Sequence, residues 1–238
     1  MKYEGKQVIV TGTSRGVGFM LANYFLDNGA IVIGISKSTQ TIQRNNYYHF
    51  EIDLSDPVNI SNSFKMIAKQ FKRIDILINN AAVMTSQFSM ILPLKNVIDM
   101  INVNFLGVFL VSRECAKLMR GKEPGRIINI GSMASKLEPI GDSIYAATKS
   151  AVITATNVLA KELAPYNVTC NTLGITAIET DMLNSHSDNA KLKIKEIING
   201  LTIPRLATVE DISNVVDFFS SNQSSYITAQ TIYLGGIN

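Results

Sequence analysis

Short apolar runs alternate with stretches of helical spacing along the whole chain, and that alternation limits the fold more than any other feature. Gln7–Thr11 (QVIVT) lies between Gly5 and Gly12 and reads as a strand buried on both faces. Gly16–Asn28 sets Val17, Met20, Leu21, Tyr24 and Phe25 at helical spacing, and Gly29 ends it. The same reading places strands at Ala30–Ser36, Tyr47–Leu54, Asp75–Asn79, Arg126–Gly131, Val168–Leu173 and Thr231–Leu234. Helices are expected from Pro57 to about Phe71, and over Leu94–Met119, Ser143–Leu163 and Val209–Ser221. Thr180–Pro204 is a polar insertion with some helical pattern. Strands joined by helical crossovers imply a doubly wound α/β fold, with a mainly parallel sheet of about seven strands and helices on both faces. The 238 residues suit one such domain, read here as residues 1–238, since no repeat or linker divides them.

Composition narrows the function classes. With 46% hydrophobic and 17% charged residues, the chain is not a disordered one. Its net charge is 22 − 19 = +3, without a block of like charges, so neither nucleic acid nor an anionic membrane is an expected partner. Cys115 and Cys170 lie far apart and read as reduced thiols. His49 and His186 have no paired ligand nearby in sequence, so no metal site is expected. The charged first residues and the lack of an uncharged apolar run of membrane-spanning length point to a cytoplasmic protein.

Thr11-Gly12-Thr13-Ser14-Arg15-Gly16-Val17-Gly18 falls between the first strand and the first helix. Glycines there let the backbone turn tightly and approach a pyrophosphate, which the helix N-terminus favours. Gly12, Ser14, Arg15, Gly16, Val17 and Gly18 are therefore expected to hold a dinucleotide in a Rossmann arrangement. The second strand ends Ile35-Ser36-Lys37-Ser38, without the acid that an NAD site uses on its ribose. Arg15 and Lys37 suit a 2′-phosphate, which favours NADP(H) over NAD(H).

Tyr145 and Lys149 are four apart on an expected helix and so share a face. Ser132 follows the fifth strand at its carboxyl end, where open α/β sheets place ligands. A phenol beside an ammonium has its anion stabilised, and a phenol so tuned exchanges a proton with a carbonyl oxygen. A serine hydroxyl can hold that oxygen by a hydrogen bond.

With these residues in place, the whole chain resembles the short-chain dehydrogenase/reductase family. The motifs that carry the resemblance are Thr11–Gly18, Asp53-Leu54, Asn79-Asn80-Ala81-Ala82, Asn104, Ser132 and Tyr145–Lys149. The resemblance implies that Tyr145 is the acid/base, that Ser132 orients the carbonyl, and that Lys149 lowers the tyrosine pKa and holds the nicotinamide ribose. It implies that Asn104 places a water in a proton relay. It also implies that Asp53 and Leu54 flank the adenine, Asn80 and Ala81 the ribose, and Ile178 and Thr180 the nicotinamide. Three departures stand out: Ala82 where the family has glycine, Ile175-Thr176 where it has Pro-Gly, and Leu234 before Gly235-Gly236 where it has Asp-Gly-Gly.

Within the family the pattern lies nearest bacterial reductases of 3-oxoacyl groups borne on acyl carrier protein. Those carry docking arginines where this chain has Glu123 and Tyr166, so dependence on an acyl carrier is not expected, although Arg120 and Lys122 lie close by. Met84, Phe88, Met133, Ile140, Met182 and Leu183 are expected to border the pocket, which suits an apolar or mixed carbonyl compound. The expected function is NADP(H)-dependent interconversion of a small-molecule carbonyl and a secondary alcohol, ranging to sugar, polysaccharide or secondary-metabolite intermediates. The alternatives are the carrier-linked 3-oxoacyl reductase and a non-catalytic NADP(H)-binding regulator. The family resemblance further implies a homotetramer built on the long helix and the Tyr145 helix.

Overall fold

The structure is a computed structural model, described here for residues 1–121, 123–176, 178 and 198–236. Its sheet comprises β1 (Gln7–Thr11), β2 (Ile31–Ser36), β3 (Tyr47–Glu51), β4 (Ile76–Asn79), β5 (Gly125–Ser132), β6 (Val168–Ile175) and β7 (Thr231–Tyr233). Every pairing is parallel and the order is β3-β2-β1-β4-β5-β6-β7. The register pairs Val8 with Val32 on one side and with Ile76 on the other.

The apolar runs feed two cores because side chains alternate along a strand. Val8 and Val10 point to one core with Leu21, Phe25, Val216 and Phe219, under α1 (Gly16–Asp27) and α7 (Val209–Ser220). Ile9, between them, points to the other with Ile60, Phe64, Val111 and Cys115. That second layer holds α2 (Pro57–Gln70), α4 (Val108–Met119) and α6 (Ser143–Leu163). Burial on both faces explains why β1 reads as an unbroken apolar run.

Helix starts differ in a way that matters below. Asp56 caps α2 by accepting from the N–H groups of Val58 and Asn59, and Thr208 with Asp211 closes a reciprocal cap on α7. α1 begins after Arg15 with no side-chain cap.

Three expected boundaries shift for visible reasons. β3 stops at Glu51, because Asp53 turns the chain by accepting from the N–H and hydroxyl of Ser55. β6 runs on to Ile175 because each residue of Gly125–Ser132 finds a partner in Val168–Ile175. The expected helix Leu94–Met119 is α3 (Leu94–Ile101), a π-helical turn over Asn102–Gly107, and α4. By length and composition this stretch could cross a membrane, but Val111, Cys115 and Met119 are buried in the second core. α5 (Ala134–Leu137) is a single turn after β5. Of the expected insertion, residues 180–197 lie outside the described residues. Its end is tied in where Ile203 donates to the carbonyl of Gly235 and Ile178 bridges to Ala207.

Candidate active site

Strand order reverses direction between β1 and β4, so the loops after these strands diverge and leave a crevice at the carboxyl edge. The glycine loop follows β1. Gly12 and Gly16 have φ of +78° and +59°, a region costly for residues with a Cβ. A Cβ on Gly18 would lie 2.2 Å from the carbonyl oxygen of Gly12, so loop and helix meet only through glycine. A Cβ on Gly16 would touch nothing within 4 Å, which leaves open space beside the uncapped start of α1. Open space, a tight turn and free helical N–H groups together fit the pyrophosphate of a dinucleotide. The far wall is Asn80 and Ala81, whose N–H groups both donate to Thr11 Oγ1 at 3.0 Å. Asn80 Nδ2 also donates to the Thr11 carbonyl at 3.0 Å.

On the adenosine side, Ser14 and Val17 are half-buried and Arg15 is exposed. Lys37 does not stand free. Its Nζ is 2.6 Å from a carboxylate oxygen of Asp53. Burial works to raise the Asp53 pKa, but the hydrogen bonds from Lys37 and Ser55 outweigh it and hold the carboxyl at about 2. The absence of a carboxylate at the end of β2 is therefore offset by one arriving from beyond β3. Leu54 is buried next to Gly107, where a Cβ would come within 2.7 Å of the Leu54 carbonyl oxygen.

Ser132 ends β5, and Tyr145 and Lys149 lie one turn apart near the start of α6. The Ser132 Oγ accepts from the N–H of Ala134 at 3.1 Å. Ser135 is drawn away from the site, donating to the Ser132 carbonyl at 2.7 Å and bonding the Tyr233 hydroxyl at 3.0 Å. Burial raises the Tyr145 pKa. A hydrogen bond with Ser132 pulls it back, and the charge of Asp142 pushes it up again. Lys149 is 3% exposed and donates from Nζ to the Ile130 carbonyl at 2.9 Å. Burial lowers its pKa to about 8. Its Nζ lies 5.9 Å from the Tyr145 ring centroid. In this geometry burial, Ser132 and Asp142 set the direction of the phenol's shift, while the Lys149 ammonium is held by a strand carbonyl.

Asn104 is fully buried in the π-helical turn. Its Oδ1 accepts from the N–H of Val83 and its Nδ2 donates to the Val83 carbonyl, both at 2.8 Å, with Thr148 Oγ1 at 3.3 Å. Both amide protons and one lone pair of the oxygen are used. It fastens the loop after β4 to the catalytic helix.

Two more bonds seal that loop to the start of α6 and the turn before it: Ser89 Oγ to Ser143 Oγ, and Gln87 N–H to the Gly141 carbonyl. Met84, Phe88 and Ile140 are exposed around this seam, whereas Met133 is buried and belongs to the core. Thr180, Met182 and Leu183 lie outside the described residues. Asp142, buried beside Tyr145, was not signalled by any motif.

A profile of the short chain dehydrogenase family matches residues 6–191. The chain belongs to that family. It is 33% identical over 242 residues to the 3-oxoacyl-[acyl-carrier-protein] reductase of Escherichia coli (strain K12), covering 99% of this chain and 98% of that one. The reductase of the same name from Aquifex aeolicus is 33% identical over 246 residues, at the same coverage. Among solved structures, ligand-free aldohexose dehydrogenase of Thermoplasma acidophilum superposes with a TM-score of 0.89 at 27% identity, over 99% of this chain and 94% of that one. This member of the family is an oxidoreductase acting on a carbonyl or an alcohol.

Proposed function

We propose that the protein interconverts a small-molecule carbonyl and a secondary alcohol with NADP(H), using Tyr145 as acid/base. The observation that carries this reading is the convergence of Ser132, Tyr145 and buried Lys149 at the carboxyl end of β5, beside the glycine loop. The cofactor, when bound, supplies or takes the hydride. Ser132 Oγ donates a hydrogen bond to the carbonyl oxygen and fixes its direction. Tyr145 gives its phenolic proton to that oxygen during reduction and takes it back in oxidation. Lys149 holds the nicotinamide ribose and supplies positive charge behind the phenol. Asn104 is a positioning residue, given its closed pairing with Val83. Gly12, Gly16 and Gly18 hold the pyrophosphate. Asp53, Leu54, Asn80 and Ala81 would line the adenosine, and Ile178 would meet the nicotinamide.

The preference for NADP(H) rests on Arg15, which among the described residues has no ion pair, and on the lack of an acid ending β2. Lys37 contributes only when a 2′-phosphate outcompetes Asp53. Lys37→Asp should weaken NADPH about tenfold or more and NADH far less, measured by titration. Equal losses would refute the preference.

A carrier-linked 3-oxoacyl substrate is the second reading, and one observation favours it. The Arg120 guanidinium lies 4.7 Å over the Tyr166 ring, which brings a cation to one of the two positions that lack arginine. Glu123 at the other is exposed. Comparing kcat/KM for one 3-oxoacyl group on acyl carrier protein and on a short thiol, at rising salt, decides between them. A strong, salt-sensitive carrier preference would make the second reading the first. We further propose a cytoplasmic homotetramer formed from residues 1–238 as one unit. A monomeric mass by sedimentation at micromolar concentration would overturn the tetramer.

A further inference from the structure

A polar chain runs behind the cofactor loop and no motif accounts for it. Thr13, fully buried in the glycine loop, has its Oγ1 2.8 Å from the hydroxyl of Tyr47 on β3. That hydroxyl is 3.2 Å from His49 Nδ1, and His49 Nε2 is 3.0 Å from the carbonyl oxygen of Ser38. The Tyr47 ring crosses β2 at Gly34, where a Cβ would lie 2.0 Å from the phenol oxygen, so the glycine is the groove the phenol passes through.

One pattern of protons satisfies every member. A carbonyl only accepts, so Nε2 carries the imidazole proton and Nδ1 holds a lone pair. The phenol donates to Nδ1, and its oxygen accepts from the Thr13 hydroxyl. The chain thus begins one residue before Ser14-Arg15 and ends one residue after Lys37. It joins the two loops that the proposed function assigns to the 2′-phosphate.

We infer that Tyr47 and His49 are positioning residues that set the spacing of the Arg15 and Lys37 loops and thereby the discrimination of NADP(H) from NAD(H). The inference rests on the cofactor reading above. A network with every donor used holds its geometry tightly, and loss of one member strands its neighbours. NADH carries only an uncharged 2′-hydroxyl where NADPH carries the phosphate, so a change in the spacing of the two cations touches it less.

The experiment is calorimetric titration of wild type, Tyr47→Phe, His49→Gln and the double variant with NADPH and NADH, together with kcat at saturating NADPH. Tyr47→Phe should weaken NADPH about 5- to 30-fold, the loss expected on stranding buried hydrogen-bonding groups. NADH should change less than about threefold and kcat less than about twofold, since the substituted groups face away from the chemistry. The double variant should be no worse than the worse single one, because both break the same chain. A merely structural tyrosine would instead lower affinity for both cofactors equally, or lower kcat, and either result overturns the inference. If Tyr47→Phe folds poorly, Thr13→Val removes the other end of the first bond and gives the same test. A wild type that binds neither cofactor, or prefers NADH, defeats the cofactor reading. A wild type that prefers NADPH with variants keeping its preference defeats this inference alone.

Discussion

At the amino ends of the strands, a buried carboxylate, Asp75, and a half-buried one, Asp217, hold their cations. Asp75 takes Lys6 at 3.3 Å, Arg73 at 2.8 Å and the N–H of Gln7. Asp217 takes Lys2 and the hydroxyls of Tyr3 and Tyr24. A cavity of about 690 Å³ opens there, lined by Tyr3, Lys6, Asp75, Arg126 and Asp217, at the opposite end of the sheet from Tyr145. Its carboxylates are already satisfied, so its size does not make it the active site. At the carboxyl ends, Lys149 is buried with a neutral carbonyl as its hydrogen-bond partner, and Tyr145 is held protonated by burial. The difference teaches that charge at one end of the sheet secures the fold, while at the other it is kept costly and available for chemistry.

The largest effect should come from Tyr145→Phe. Turnover should fall about 10²–10⁴-fold or more, with the melting temperature and NADPH titration little changed. Turnover within threefold of wild type would break the comparison at its reactive end.

Lys149 sharpens it, because the same residue should cost stability and serve catalysis. Its folded pKa of about 8 is below the ordinary lysine value of 10.5, so between those values the unfolded chain binds more protons than the folded one. Stability should therefore rise with pH through that window, and the cost of the buried ammonium, on the order of 3 kcal/mol, is fully present below it. Lys149→Met should stabilise the fold at neutral pH by about 1–3 kcal/mol and flatten the rise, while turnover falls by about a hundredfold or more. Urea melts at pH 7 and 9.5 check both halves. A destabilised variant would show that the Ile130 hydrogen bond outweighs the desolvation.

Asp75→Asn is the converse. It leaves Lys6 and Arg73 without their carboxylate and should cost about 1–3 kcal/mol of stability, with kcat within about twofold. A loss of turnover without a loss of stability would reverse the roles assigned to the two ends.

Much of this was legible in the sequence where a local rule decided the outcome. Ser143–Leu163 forms with the boundaries its spacing predicts. The glycine loop and the Ser132–Tyr145–Lys149 group follow from strand, turn and helix in succession. What stayed hidden depends on contacts between distant segments. The Lys37–Asp53 pair forms because β2 and β3 lie side by side, which brings together residues sixteen apart. The Tyr47 phenol crosses Gly34 for the same reason, and Gly34 alone reads only as a weak point in a strand. The hydrogen bond of Lys149 to the Ile130 carbonyl is a contact that a four-residue spacing cannot express. The π-helical turn was missed because changing i→i+4 bonds to i→i+5 leaves no mark in the apolar pattern.

That wide turn fixes how the segment can vary in length. Met100, Asn104 and Val108 are all buried and each is four positions after the last. In a regular helix each such step would advance the buried line by about 40° around the axis. The extra residue in Asn102–Gly107 takes up the drift, so the line runs straight into α4 and the Asn104 amide stays square to Val83. A one-residue deletion here would swing every side chain of α3 by about 100° relative to α4. An insertion would widen a turn that is already wide. The stretch should therefore accept new side chains on its exposed positions far more readily than a gain or loss of a single codon.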